Sequence, residues 1–271
     1  MTRLREEDIC LVGERLSGYD SHLLKITGSG LAGIAAHSLG KTPNDFVSAQ
    51  RTVSVGVIPV TYGQGIISGF SETVRDIIAF LGFAAFVTRE PNLGGLAEAV
   101  GGGAKIVFLA DDDNFIALNV ASGKVSDNGE ATGRGYAAAL ELMAGGLREK
   151  KVLIIGAGPV GCGAARYLTA QGAKVLVHDC DESKMEQLKC LIPEIRTGKP
   201  GMTLPCCQFI VEATPAENTV TADYITADTC VAAPGIPLGL NRECRERLAD
   251  RLIHDVLEIG VATMLFTALA K

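Results

Sequence analysis

Apolar positions along this chain fall into two successive sets of short β-branched runs separated by stretches of helical spacing. In the first set, residues 53–60 (V-S-V-G-V-I-P-V), 83–88 and 105–110 read as strands, since β-branched residues suit a buried pleated surface. Residues 5–16 carry Ile9, Val12 and Leu16 on one helical stripe and predict an amphipathic helix. Further helices are expected over 31–38, over 71–81 with Ser71 as N-cap, and over 93–102 and 133–147. The second set restarts after a cluster of glycines and charges at 145–151. Strands are expected there at 151–155, 173–178, 208–212 and 229–232, with a helix at 161–170. An apolar stretch at 262–270 reads as a final helix that packs back on the body or suits a homodimer contact. Alternating strands and helices predict an α/β protein. The expected division is a smaller substrate-binding α/β domain at 1–146 and a doubly wound Rossmann domain at 147–271.

The second set carries a chemical signal. Gly156-Ala157-Gly158-Pro159-Val160-Gly161 is a GxGxxG run placed between an apolar strand and an Ala-rich helix. In that context Gly156 makes the tight turn, Gly158 lets a pyrophosphate approach the backbone, and Gly161 allows close packing of helix on strand. Pro159 and Val160 open the helix, whose free N–H groups favour phosphate. Asp179 ends the next strand, 23 positions after Gly156. A carboxylate there accepts from ribose hydroxyls and repels a 2′-phosphate, and no Arg adjoins it, so the expected cofactor is NAD. Thr214-Pro215 and Pro234-Gly235 follow the later strands and either face the cofactor or form ordinary turns.

Composition narrows the classes. Net charge is −6, against nucleic acid as a partner and compatible with a small cationic substrate. The apolar runs are short and interrupted, so neither a membrane span nor a signal peptide is expected and a cytoplasmic location follows. Eight cysteines, Cys206 and Cys207 adjacent among them, form no CxxC pair and read as buried or idle thiols, with no metal expected. Asp111-Asp112-Asp113 follows a buried strand. Those carboxylates either bind an ammonium group or a divalent metal, or cap a solvated turn. No GxSxG is present and the four histidines form no constellation with a nucleophile, so hydrolase chemistry has no support.

Five segments carry a more specific signal: Gly56-Val57-Ile58-Pro59-Val60-Thr61, Gly65-Ile66-Ile67, Phe70-Ser71-Glu72, Ala110-Asp111-Asp112 and Pro234-Gly235-Ile236-Pro237. Together they resemble the PylD family of pyrrolysine-biosynthesis dehydrogenases, from about residue 50 to the C-terminus. The resemblance implies NAD-dependent oxidation of the terminal amine of 3-methyl-D-ornithyl-N6-L-lysine, loss of ammonia, and closure of the pyrroline ring. It implies that Asp111 holds the substrate's amino end and accepts a proton. It also implies that Val60, Phe70, Ser71 and Ala110 line the substrate pocket and that Leu4 closes over it. Alternatives are a dehydrogenase of another small cationic amino acid and a protein that senses NAD without chemistry.

Overall fold

The computed structural model describes residues 4–198 and 207–270; Met1 to Arg3 of the N-terminal reading and Cys206 lie outside the described residues. The first part comprises α1 (Glu6–Ile9), α2 (Val12–Thr27), α3 (Leu31–His37), α4 (Val47–Thr52), β1 (Ser54–Ile58), α5 (Phe70–Phe80), β2 (Ala84–Val87), α6 (Asn92–Gly101), β3 (Ile106–Ala110), β4 (Phe115–Asn119) and β5 (Val125–Asp127). A long helix, α7 (Asn128–Met143), leads to β6 (Lys151–Ile155), α8 (Pro159–Ala170), β7 (Lys174–His178), α9 (Glu182–Leu191) and β8 (Arg196–Thr197). Then come β9 (Phe209–Glu212), β10 (Cys230–Ala232), α10 (Arg242–Leu248), β11 (Leu252–Ile253) and α11 (Glu258–Leu269).

Among the described residues, the first sheet has the order β2-β1-β3-β4-β5, parallel through β3 and antiparallel beyond it. The second has the order β11-β10-β9-β6-β7-β8, with parallel pairs throughout. Counted from β6, this is the doubly wound dinucleotide-binding order. Its order reverses between β6 and β9, so the crevice lies beyond Ile155 and Glu212. No helix among the described residues is long and apolar enough to cross a membrane.

One core runs through both sheets and includes Val57, Ile77, Phe108, Leu140, Val152 and Phe266. Helix α7 joins the two halves by packing on α8 at backbone distance. A Cβ on Gly133 would stand 1.9 Å from the Val160 carbonyl oxygen, and one on Gly163 2.4 Å from that of Glu130. Each such glycine costs a helix about 1 kcal/mol relative to alanine, a cost offset by the closer contact. Strands β1–β5 precede residue 146 and β6–β11 follow it. Helix α11 nevertheless returns to pack on α7, α3, α5 and β4. It is buried on every side within this chain, which accounts for its apolar character without a second copy.

Several expectations are corrected. The helix over 5–16 is two helices, with the second continuing to Thr27 and ending at Gly28 in the left-handed conformation (φ 72°). Its apolar stripe still faces inward, since Ile9, Val12 and Leu16 are buried. Ser71 is not an N-cap: Gly69 (φ 79°) makes that turn, and Ser71 is buried in the first turn of α5. Helix α7 begins at Asn128 rather than 133, because the Asp127 side chain accepts from the Glu130 N–H at 3.0 Å and caps it there. The hairpin β4–β5 was not anticipated.

Candidate active site

A cavity of about 490 Å³ opens where the ends of β1 and β3 face the crevice beyond β6 and β9. That size is ordinary for a small-molecule site.

On the second-sheet side the wall is the loop after β6. Gly156 sits at φ 103°, and a Cβ there would lie 2.5 Å from the Ala213 carbonyl oxygen. A Cβ on Gly161 would lie 1.9 Å from the Gly156 carbonyl oxygen, so this glycine seats α8 on the turn. Gly158 differs from both. It lines the cavity, its φ is −73°, and a Cβ there would meet nothing within 4 Å. Pro159 and Val160 line the cavity beside it. Gly156, Gly161 and Asp179 are not among the residues that line the cavity. The Asp179 carboxylate accepts from the Ala157 N–H at 2.7 Å and the Asp181 N–H at 2.9 Å. Burial pushes its pKa up, but these bonds outweigh that and hold it below the usual carboxylate value. Lys184 reaches the cavity on the same side.

Thr214, Pro215, Pro234 and Gly235 line the cavity. Glu212 laces their loops together. It is fully buried, its Oε1 accepts from the Thr214 N–H and hydroxyl, and its carbonyl accepts from the Gly235 N–H at 3.2 Å. A Cβ on Gly235 would stand 2.3 Å from the Thr214 carbonyl oxygen, so the two loops touch backbone to backbone.

The first sheet supplies the other wall. Leu4, Val60, Phe70 and Ser71 meet Ala110 and Asp111 there. Phe70 packs edge-on against Phe115 of the unanticipated β4, with ring centroids 5.3 Å apart. The acidic run divides its work. Asp111 Oδ1 accepts from the Asp113 N–H at 2.9 Å and the Asn114 N–H at 2.7 Å, closing the β3–β4 turn. Those two bonds lower the Asp111 pKa. The turn thus favours its anionic form. Asp112 Oδ2 accepts from the Gln64 N–H at 2.7 Å and ties the 61–65 loop to this turn. Among the described residues no three His, Cys, Asp or Glu side chains converge as metal ligands, and the seven cysteines are free thiols.

Sequence reasoning missed a further set. Asp255, just beyond β11, lines the cavity and is 7% exposed. Its Oδ2 accepts from the Tyr19 hydroxyl at 2.7 Å. The Tyr136 hydroxyl donates to the Asp255 carbonyl at 2.9 Å and accepts from its N–H at 2.8 Å. An acidic residue at the end of a parallel strand beside the crevice is a usable signal, but β11 is two residues long.

Comparison with known proteins fits this geometry. Residues 9–126 match the family described as pyrrolysine biosynthesis protein PylD, N-terminal domain. Residues 131–238 match alanine dehydrogenase/PNT, C-terminal domain. The pyrrolysine synthase of Methanosarcina acetivorans is 34% identical over 273 residues, covering 99% of this chain and 100% of that protein. The chain belongs to the pyrrolysine synthase family. The Methanosarcina barkeri pyrrolysine synthase is 33% identical, covering 99% of this chain and 98% of that protein. Among solved structures, the quinate dehydrogenase of Corynebacterium glutamicum in complex with NAD aligns with a TM-score of 0.55 at 16% identity. That match covers 80% of this chain and 92% of that one. The shikimate dehydrogenase of Aquifex aeolicus aligns with a TM-score of 0.53 at 18% identity, over 80% and 90%. At such identities these likenesses speak for a dehydrogenase-type fold. The family resemblance read from residues 56–72, 110–112 and 234–237 is thus shown over nearly the whole chain.

Proposed function

We propose that this chain is an NAD-dependent dehydrogenase that oxidises the terminal amine of 3-methyl-D-ornithyl-N6-L-lysine, after which ammonia is lost and the ring closes to L-pyrrolysine. The observation that carries this reading is a single cavity with Gly158 at one wall and Asp111 at another. Gly158 leaves open space where a pyrophosphate would lie against the backbone, so the residues present fit a dinucleotide. When bound, NAD supplies the hydride acceptor. Family membership supports the substrate, and the anionic Asp111 supports a cationic amino group near it. Asp111 holds that ammonium through the oxygen lone pairs the turn leaves open. Val60, Phe70 and Ser71 shape the space around the chain of the ornithine, and Leu4 covers it. The work is mainly positioning and exclusion of water.

Asp179 supports NAD over NADP. Its carboxylate is held ionised, and at the end of the strand after the glycine loop such a group would accept from the ribose hydroxyls and repel a 2′-phosphate. Asp179→Ala is expected to weaken NAD about tenfold, within the range for a lost charge-assisted hydrogen bond. NADP should weaken less, so the preference narrows, as paired KM measurements would register. An unchanged preference places ribose recognition elsewhere.

The overall reading is tested by NADH formation with the isopeptide. Turnover with it and not with free ornithine or lysine supports the proposal. Turnover only with simpler amino acids favours a general amine dehydrogenase. Tight NAD binding with no turnover favours a sensor.

A further inference from the structure

The proposed reaction moves protons as well as hydride, and this inference rests on that reading. Once the terminal amine is an iminium, the substrate's α-nitrogen must attack the same carbon. That nitrogen enters as an ammonium and ends in the ring as a protonated imine. Two of its N–H bonds break and two form on the departing nitrogen, which leaves as ammonium; charge and hydrogens balance with no added reactant. A group is needed that both takes and gives a proton. Asp111 is already given to the terminal amino group, and its Oδ1 is also engaged by the Asp113 and Asn114 N–H groups.

A second carboxyl reaches the same cavity. Asp255 is held from three helices: Tyr19 of α2 donates to Oδ2, the Ile259 N–H of α11 donates to Oδ1 at 3.3 Å, and the Tyr136 hydroxyl of α7 bonds both its N–H and its carbonyl. Glu258 of α11 is 6% exposed and faces it, with its own Oε2 taken by the Val256 and Leu257 N–H groups. We propose that Asp255 is the proton-exchanging residue of the cavity, relaying protons from the substrate's α-nitrogen to the departing nitrogen. In each relay an N–H bond breaks with its electron pair left on nitrogen, and an O–H bond forms on Asp255. That O–H bond then breaks as the proton passes to the leaving amine.

The environment suits this role. Burial and the adjacent Glu258 charge push the Asp255 carboxyl well above the usual carboxylate range, against the hydrogen bonds from Tyr19 and Tyr136. The adjoining His254 is driven toward the neutral form by burial and is engaged with the Ala233 carbonyl. A carboxyl whose hold on a proton is strengthened in this way gives and takes protons more evenly than an ordinary carboxylate.

Asp255→Asn preserves the shape and can still accept from Tyr19. The variant is expected to form its first equivalent of NADH at close to the parent rate in a rapid-mixing experiment. Steady-state turnover should then fall about 100-fold, the low end of general acid–base effects, and the acid limb of the kcat profile should vanish. Tyr19→Phe removes one bond to the ionised form and should shift that limb to higher pH without abolishing it. In the cofactor-free protein, infrared difference spectra should show a buried carboxylic-acid carbonyl band that grows as pH is lowered through the acid limb and that Asp255→Asn removes. A steady-state rate within threefold of the parent with a superimposable pH profile overturns the proposal, as does a band untouched by Asp255→Asn. Failure of the unaltered enzyme to turn over the isopeptide instead overturns the substrate reading itself.

Discussion

Gly158→Val should leave the fold standing and nearly abolish cofactor binding. The three glycines of the β6–α8 turn are constrained by different atoms, and only one of them faces empty space. Gly156 needs its positive φ and would meet the Ala213 carbonyl; Gly161 would meet the Gly156 carbonyl at 1.9 Å. Side chains at those two positions damage the protein itself. At Gly158 the backbone is already in a conformation open to any residue, and the added Cβ enters the cavity. Valine therefore occupies the volume that the pyrophosphate needs. The melting temperature should change by no more than about 2 °C, typical of a surface change without packing loss. The KM for NAD should rise about 100-fold, close to 2.7 kcal/mol of lost binding. Gly161→Ala is the control, with the melting temperature falling first. Unchanged NAD affinity in Gly158→Val would reduce the motif to a tight turn.

That contrast also marks what could be read along the chain. Strands β6, β7, β9 and β10 were legible because each is a short apolar run with its own turn chemistry. The start of α7 was not, because Gly129, Gly133 and Gly135 lower helix propensity locally. Their reason is tertiary: Cβ atoms there would collide with Pro159, the Val160 carbonyl and Thr263. Ser71 was a sound local choice of cap, displaced by a glycine two residues earlier that reaches a left-handed turn more cheaply. Strands β4 and β5 were hidden by the acidic run, which looks like an exit to solvent and is in fact a turn closed by Asp111. Asp255 was furthest from reach. Its partners Tyr19 and Tyr136 lie 236 and 119 positions away, so no local window contains the arrangement that defines it.

Asp111→Asn should lower kcat/KM for the isopeptide by about 100-fold, roughly what is lost when a charge-assisted contact of 2–3 kcal/mol is removed. Asparagine offers the same Oδ1 to the Asp113 and Asn114 N–H groups, so the β3–β4 turn and the melting temperature should persist. Its amide N–H₂ would face the cavity where the carboxylate had faced it, replacing attraction for an ammonium with repulsion. The loss should appear chiefly in KM. The pH dependence separates this residue from Asp255. The Asp111 pKa is depressed, so its contribution is present at neutral pH and is lost only as pH falls through a value below the usual carboxylate range. The Asp255 pKa is raised, and its limb lies above that range. Removing Asp111 should therefore leave the acid limb set by Asp255 in place, while removing Asp255 erases it. Two carboxyls in one cavity, driven apart by backbone N–H donors on one side and burial beside Glu258 on the other, are thereby suited to different tasks. If Asp111→Asn keeps kcat/KM within a few-fold of the parent, Asp111 is a turn-closing residue and the ammonium is held elsewhere.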